Sequence, residues 1–236
     1  MKILVCTANQ PRHVTLVRAL KAAGHDVMTI VEPKSYARPA GVRGEYLHRV
    51  REAELSLFGM AWTMPGPVLT LPPGELSAIA DIIVQRWSDR FPVVSSSSYI
   101  RGDLATHFLS LGALNLHVGV APEYRGSAPN MWAWYDKNEH LVGCQTQRLS
   151  LKLDAGEILT DTRGLDVERD PFMRGMLACS LGINALVHLL SREPSTWQPC
   201  VTNDPARQIR YAKHADFMDA IAEELLARAD ADDATV

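Results

Sequence analysis

The sequence has few of the features that mark membrane proteins, secreted proteins or nucleic-acid-binding proteins. Its apolar runs are short, and even the stretch Ala78–Val84 is interrupted by Asp81, so none approaches the roughly 20 residues needed to cross a bilayer. The apolar start Met1–Val5 soon reaches polar residues and is too short for the core of a signal peptide. A net charge of -3 provides no broad positive field for nucleic acid or anionic membranes. We therefore expect neither nucleic acid nor a membrane among the partners.

Cysteine is scarce as well. The four cysteines, Cys6, Cys144, Cys179 and Cys200, are scattered and include no Cys-x-x-Cys pair. This spacing argues against a disulfide framework and against a structural zinc site. We expect reduced thiols, a cytoplasmic location and no bound metal.

The remaining composition is that of a globular domain. The chain has 236 residues, of which 47% are hydrophobic and 22% are charged. A chain of this length buries roughly 70–75% of its unfolded surface, which is enough for a substantial core. We expect one catalytic domain over residues 1–190 and a C-terminal extension, 191–236, that packs on the same domain.

The N-terminal part of the chain predicts a strand, a helix and a second strand. Lys2–Thr7 and Val27–Val31 are apolar runs of strand length, and His13–Ala23 places its apolar residues on one helical face. This βαβ pattern predicts an α/β fold with a doubly wound, mostly parallel sheet, a Rossmann-like N-terminal half and a short helical C-terminal extension. The turn 7–13 lacks Gly-x-Gly-x-x-Gly, which argues against a nicotinamide or flavin enzyme.

The rest of the chain continues this alternation of strands and helices. Strands are predicted over Pro92–Ser97, Ala113–His117 and Ile158–Thr162, and helices over Glu75–Trp87, Asp103–Leu111, Ser127–Asn138 and Asp216–Arg228. Asp170 followed by Pro171 predicts the start of a further helix, since aspartate caps and proline suits the first turn. The basic segment 36–51 leaves two interpretations open, a solvated loop that leads into a helix or a patch for an anionic substrate group.

Two polar side chains at the end of a predicted strand point to chemistry. Asn115 and His117 are two residues apart, so they project to the same side of the strand. Doubly wound sheets bind their ligands at the carboxyl ends of such strands. A carboxamide and an imidazole there could stabilise an oxyanion and handle a proton. Asp154, in a predicted loop close to Gly156, adds a carboxylate.

The ordered set of motifs resembles a known family. The chain contains Asn115-Leu116-His117, then Tyr124-Arg125-Gly126, Ala128-Pro129, Trp132-Ala133 and Gly143, and finally Leu153-Asp154-x-Gly156-x-Ile158-Leu159. This series resembles the formyltransferases that use 10-formyltetrahydrofolate, which act on methionyl-tRNA, glycinamide ribonucleotide or nucleotide-linked amino sugars. The resemblance covers residues 95–160 well and the N-terminal elements loosely.

The resemblance implies a role for each of several residues. Asn115 and His117 would stabilise the oxyanion that forms when an amine attacks the formyl carbon, and Asp154 would hold His117 and an ordered water. The formyl donor would be 10-formyltetrahydrofolate. Its binding loop would comprise Ser97, Ser98, Tyr99, Ile100 and Arg101, and the opposite wall Lys152, Leu153 and Gly156. The chain departs from the family pattern at Val118, Gly119, Ala121, Gln145 and Gln147.

Charge and motif also bear on which amine accepts the formyl group. The short remainder after the motifs and the negative charge argue against tRNA, and Arg125 is a residue that glycinamide ribonucleotide enzymes usually lack. We therefore favour a small-molecule amine on a nucleotide-linked sugar, bound by Arg12, Tyr124 and Arg125, with Arg38 and Arg43 as further diphosphate contacts. Glycinamide ribonucleotide, an amino acid derivative, hydrolysis of the folate and a non-catalytic scaffold stay open as alternatives. A homodimer is compatible with all of them.

Overall fold

A seven-stranded mixed sheet forms the centre of the protein in a computed structural model that describes residues 1–34, 40–163 and 170–233. Nine strands are present in this part of the chain: β1 (Lys2–Thr7), β2 (Asp26–Val31), β3 (Val68–Thr70), β4 (Phe91–Ser95), β5 (Leu114–His117), β6 (Tyr124–Gly126), β7 (Gly143–Arg148), β8 (Ile158–Arg163) and β9 (Arg210–Ala212). The helices are α1 (Pro11–Ala22), α2 (Val42–Phe58), α3 (Ala80–Trp87), α4 (Gly102–Ser110), α5 (Pro129–Tyr135), α6 (Pro171–Leu190) and α7 (Asp219–Asp233).

The sheet order is β3-β2-β1-β4-β5-β7-β8. Strands from β3 to β5 are parallel, and β7 and β8 add antiparallel pairs at the edge. The chain therefore winds outward in one direction to β3 and in the other from β4, which places a switch point between β1 and β4. The prediction of an α/β, mostly parallel sheet is confirmed.

The central strands are apolar because helices cover both faces of the sheet. Ile3 and Val5 belong to the core shared with α1 and α6, whereas Leu4 and Cys6 belong to the core shared with α3 and α4. The same alternation continues in β5, where Leu114 and Leu116 join the α1 and α6 side. Asn115 and His117, which alternate with these leucines along β5, therefore face the α4 side.

Helix α6 begins as the sequence predicts. The side chain of Asp170 accepts a hydrogen bond from the backbone N–H of Phe172 at 3.1 Å, and Pro171 occupies the first turn. Among the described residues this is the one helix that is long and apolar enough to cross a bilayer, by length and composition only. In the sequence this helix does not stand out as an uninterrupted apolar run, because polar residues such as Arg174 divide it. Half of its apolar window is buried inside the fold.

The C-terminal segment is attached to the rest of the protein at several points. Strand β9 pairs in parallel with β6, and Val201 forms an isolated bridge with Ile158. Helix α7 packs on α2 and α5, and its Leu225 is fully buried. The division of the chain at residue 190 stays a prediction.

The basic segment 36–51 is helical from Val42 onward. Arg43 forms an ion pair with Asp219 of α7, and Arg49 lies 3.3 Å from Asp230. These two arginines therefore face the acidic C-terminal helix, a use that the sequence analysis did not foresee. Arg38 lies outside the described residues.

Candidate active site

A cavity of about 630 Å³ opens at the carboxyl ends of the parallel strands. Asn115 and His117 of β5 line it, together with Asp154 from the loop between β7 and β8. This is the position at which doubly wound sheets bind ligands. The structure thus brings together the three residues to which the sequence analysis assigned the chemistry, although they are far apart in sequence.

The carboxylate of Asp154 is the point at which these residues meet. Its Oδ1 accepts a hydrogen bond from Asn115 Nδ2 at 3.1 Å and lies 3.3 Å from His117 Nδ1. Its Oδ2 accepts from the backbone N–H of Gly126 at 3.0 Å. The side chains of His117 and Asp154 are only 6% and 5% exposed, so these contacts are shielded from water.

The imidazole of His117 lies between two acceptors. While Nδ1 faces Asp154, Nε2 lies 3.2 Å from the backbone oxygen of Tyr124. A neutral imidazole donates through one nitrogen only, whereas an imidazolium donates through both. The ring is therefore fixed in orientation, and its charged form would satisfy both acceptors.

One wall of the cavity is the loop that follows β4. Ser97, Ser98, Tyr99 and Ile100 line it, and Leu151 and Leu153 line the opposite side. The hydroxyl of Tyr99 donates to the backbone oxygen of Leu151 at 2.8 Å, so the two walls touch at their outer edge. Tyr99, Leu151 and Leu153 leave apolar surface exposed at this edge.

The carboxylate of Glu32, at the end of β2, shapes the loop that follows β4. It is only 4% exposed. Its Oε2 accepts from the backbone N–H of Ser98 at 2.7 Å, and its Oε1 accepts from the Ser98 hydroxyl at 2.9 Å. The same Oε1 accepts from the N–H groups of Gly74 and Leu76 at 2.9 and 3.1 Å. Sequence reasoning missed Glu32, because a single acidic residue after a strand carries no motif.

Three residues assigned to the cofactor walls do not line the cavity. Arg101 precedes α4 and donates its backbone N–H to Ser77 Oγ at 3.1 Å, and Lys152 lies in the turn before Asp154. Gly156 packs so closely that an added Cβ would lie 1.8 Å from the backbone oxygen of Arg148. Close backbone packing therefore explains why residue 156 is a glycine. A role in binding folate stays a prediction for Arg101, Lys152 and Gly156.

Two of the three residues assigned to the acceptor, Tyr124 and Arg125, also do not line the cavity, and their role in binding the acceptor stays a prediction. The Tyr124 hydroxyl donates to Asp136 Oδ2 at 3.1 Å and accepts from Asn138 Nδ2 at 2.7 Å, and burial raises the pKa of Tyr124 to about 12. Arg125 donates from Nε to the backbone oxygen of Leu153 at 2.9 Å and from Nη1 to Gln208 Oε1 at 3.0 Å. In this structure Arg125 therefore holds the loop that carries Asp154.

The third of these residues, Arg12, does line the cavity. Its guanidinium lies 2.8 Å from Oε1 of the buried Glu54. Lys34 lines the cavity too, and burial followed by the positive charge of Arg12 lowers its pKa. With Arg148 and Lys213 the described lining holds four cationic side chains against the single carboxylate of Asp154. Glu54 and Glu157, outside the lining, pair with Arg12 and Arg148 and neutralise part of this charge. The remaining positive charge favours an anionic ligand.

No protein-family model matches the chain. Methionyl-tRNA formyltransferase from Anaeromyxobacter dehalogenans is 30% identical over 181 residues, which are 75% of this chain and 54% of that protein. Methionyl-tRNA formyltransferase from Mycolicibacterium gilvum is 27% identical over 159 residues, which are 67% of this chain and 48% of that protein. The chain thus spans about half the length of the curated relatives it matches.

Several solved structures that share the fold of this chain are also formyltransferases. A sugar N-formyltransferase from a Shewanella species has a TM-score of 0.63 at 14% identity, covering 97% of this chain and 87% of that chain. The chain belongs to the formyltransferase family. Glycinamide ribonucleotide transformylase 1 from Symbiobacterium toebii has a TM-score of 0.58 at 15% identity, covering 81% and 86%. An N-formyltransferase from Helicobacter canadensis, in complex with folinic acid and dTDP-3-aminofucose, has a TM-score of 0.59 at 11% identity, covering 92% and 73%.

This formyltransferase fold contains no obvious metal centre in its described part. No group of three or more histidine, cysteine, aspartate or glutamate side chains there could hold a metal ion. Three of the four free cysteines, at positions 6, 144 and 179, are buried, and burial raises the pKa of each of these three thiols. These thiols are therefore held in their neutral, unreactive form.

Proposed function

We propose that the chain is an N-formyltransferase that moves a formyl group from 10-formyltetrahydrofolate to a primary amine. The observation that carries the proposal is the convergence of Asn115, His117 and Asp154 on one cavity, with Asn115 and His117 at 3.1 and 3.3 Å from the Asp154 carboxylate. Acyl transfer to an amine needs a donor at the developing oxyanion, an acid–base group and an acceptor that orients it. The three side chains provide these groups.

Each side chain has a distinct part in the proposed reaction. When bound, 10-formyltetrahydrofolate supplies the activated formyl carbon. Asn115 gives one amide hydrogen to Asp154 and has a second, which we assign to the formyl oxygen. His117 presents the hydrogen of Nε2, now 3.2 Å from the Tyr124 oxygen, to the same developing charge. Asp154 orients the ring, compensates its positive charge and holds a water that carries the proton from the amine to the nitrogen of the departing tetrahydrofolate.

The cavity is suited to a folate. Its volume of about 630 Å³ lies within the range of small-molecule sites. The backbone of residues 97–100 and the exposed rim at Tyr99 and Leu151 offer polar and apolar contacts to a pterin and an aromatic ring. The relative from Helicobacter canadensis was solved with folinic acid, which agrees with a folate donor for this chain.

We assign the acceptor to the amino sugars linked to a nucleotide. The four cationic residues of the cavity lining suit a diphosphate, and we assign its phosphate contacts to Arg12 and Lys34. The Shewanella relative is a sugar N-formyltransferase, and the Helicobacter canadensis relative was solved with dTDP-3-aminofucose. A net charge of -3 argues against tRNA, the acceptor named for the curated relatives. A cytoplasmic location and a homodimer stay predictions.

Ligand binding and transfer can be tested in sequence. Thermal unfolding is measured first with 5-formyltetrahydrofolate and then with dTDP, UDP and GDP, since a ligand at a hundredfold excess over Kd stabilises by about 2.7 kcal/mol. Formyl transfer is then followed by mass spectrometry, with amino sugars linked to the stabilising nucleotide. We expect Asp154→Asn to reduce kcat by about 100- to 1000-fold, the usual cost of losing one group that stabilises the transition state.

A matched control separates loss of chemistry from loss of fold. Asp103→Asn makes the same change at an exposed position of α4 and should leave transfer unchanged. Release of formate in the absence of an amine would show that the protein is a hydrolase and not a transferase. Formylation of glycinamide ribonucleotide with no response to any nucleotide would remove the sugar acceptor, and no stabilisation by the folate would remove the donor.

A further inference from the structure

The backbone of Asp154 has a conformation that most residues avoid. Its φ is +51°, in the left-handed region, where a residue other than glycine is uncommon. Such a conformation costs of order 1–3 kcal/mol and persists only where the surrounding structure imposes it. The conformation determines where the carboxylate points, so whatever imposes it also places Asp154 against Asn115 and His117.

The side chain of Asn203 holds the backbone on both sides of this position. Its Nδ2 donates to the backbone oxygen of Asp154 at 3.3 Å and to that of Gly156 at 2.8 Å. One amide group has two hydrogens, so it can hold two carbonyl groups at a fixed separation. Together these bonds fix the orientation of the peptide units around Ala155.

Asn203 is itself fixed to the domain by its neighbours. On one side, Cys200 donates its backbone N–H to the oxygen of Ile158 at 2.8 Å, and Val201 bridges to the same residue. On the other side, Asp204 Oδ1 accepts from the backbone N–H of Ala206 at 2.9 Å and so caps a short helical turn. Asn203 therefore stands on a rigid segment rather than on a free tail.

Asn203 does not line the cavity and so would not touch a ligand. We infer that Asn203 is a positioning residue: by holding the carbonyl groups of Asp154 and Gly156, it sets the left-handed backbone that directs the Asp154 carboxylate onto Asn115 and His117. This inference rests on the proposed function. It gives the C-terminal segment a role in positioning Asp154, although that segment contributes no group to the reaction.

The decisive experiment is a double-mutant cycle in the transfer assay. Asn203→Ala removes both donors, and Asn203→Asp keeps the size but places an acceptor against two carbonyl oxygens. We expect kcat to fall about 10- to 100-fold, as for other small displacements of a catalytic group, while KM for the folate changes less than threefold. In an Asp154→Asn background the Asn203 change should cause almost no further loss, because residues that act as one unit are not additive.

A second measurement does not depend on activity. The backbone N–H of Gly126 donates to Asp154 Oδ2, so its hydrogen exchange reports whether the carboxylate is in place. Asn203→Ala should accelerate exchange at Gly126 at least tenfold, with the unfolding midpoint recorded alongside. Thr202→Ala, at the exposed neighbouring position, is the control and should change neither quantity.

The outcomes separate the two hypotheses. If the natural protein transfers no formyl group but Gly126 exchange responds to Asn203→Ala, the proposed function fails and the positioning role stands. If Gly126 exchange is unchanged, or if the losses from Asn203 and Asp154 multiply in the cycle, Asn203 does not act through Asp154 and the inference is wrong. If Asn203→Ala does not fold, Asn203→Ser, which keeps one donor, replaces it in both measurements.

Discussion

Replacement of Glu32 by glutamine tests how the loop after β4 is kept ready for a ligand. Its Oε1 accepts three hydrogen bonds, from Gly74, Leu76 and the Ser98 hydroxyl, and its Oε2 accepts one, from the Ser98 N–H. A glutamine has a single side-chain oxygen, and the Oε1 position, with its three donors, is the favourable place for it. The NH2 group then occupies the Oε2 position, where it faces the Ser98 N–H and cannot accept its hydrogen bond. The substitution should therefore release Ser98 and preserve the turn at residues 74–76.

The size of the effect follows from the burial of this carboxylate. A hydrogen bond to a charged group contributes about 1.5–3 kcal/mol, and Glu32 is only 4% exposed, so solvent does not screen the loss. We expect the free energy of unfolding to fall by about 2–3 kcal/mol. If binding has to reorder the released loop, affinity for 5-formyltetrahydrofolate should fall by about 30- to 140-fold, since 1.4 kcal/mol is a factor of ten.

Urea unfolding measures the first quantity for Glu32→Gln and titration calorimetry the second. Glu75→Gln removes the same charge at an exposed position and should change neither. Ser98→Ala removes the hydroxyl donor alone and should have a smaller effect on affinity than Glu32→Gln. Unchanged folate affinity in a destabilised Glu32→Gln protein would refute the reasoning, because Glu32 would then support the fold without shaping the ligand loop.

Two further predictions concern stability. Gly156→Ala should lower the free energy of unfolding by more than about 3 kcal/mol, because its Cβ would lie 1.8 Å from the backbone oxygen of Arg148. Gly175→Ala, inside α6, should raise the free energy of unfolding by about 0.5–1 kcal/mol, because its Cβ would lie 3.5 Å from Met131 Cε and alanine favours a helix. Urea unfolding of both variants tests this, and equal effects would contradict the geometry. Thr146→Val should leave the unfolding midpoint unchanged or raise it, since the buried hydroxyl has no hydrogen-bond partner among the described residues, and a clear decrease would contradict this.

The sequence predicted those parts of the fold that leave a regular pattern. The strands at Lys2–Thr7 and Asp26–Val31 are continuous apolar runs, and Asp170 with Pro171 marks the start of α6, so local chemistry was sufficient. Strands β6 and β9 were missed because three residues show no periodicity, and their pairing joins segments that are distant in the chain. The start of α7 was predicted three residues early because Asp216 belongs to a separate short turn.

The candidate site divides in the same way. Asn115, His117 and Asp154 were found because they have motifs and a fixed order, and the structure brings them together. Glu32 and Asn203 bind backbone groups, and since every residue offers such groups, no residue pattern identifies their partners. Arg125 was assigned to the substrate from the family resemblance, and in the structure its guanidinium binds the backbone oxygen of Leu153.

The charges of the cavity give a physical reason why an anion belongs there. Lys34 and Arg12 line the same cavity, and the pKa of Lys34 is lowered by burial and then by Arg12, with Glu32 only partly opposing this. The positive charge of Arg12 thus disfavours the protonated form of Lys34 in the unliganded protein. Glu54, which pairs with Arg12 at 2.8 Å, and Glu32 each offset part of this repulsion. A ligand that brings its own negative charge would offset the remaining repulsion and stabilise both cations. A diphosphate carries such a charge, and a neutral amine does not.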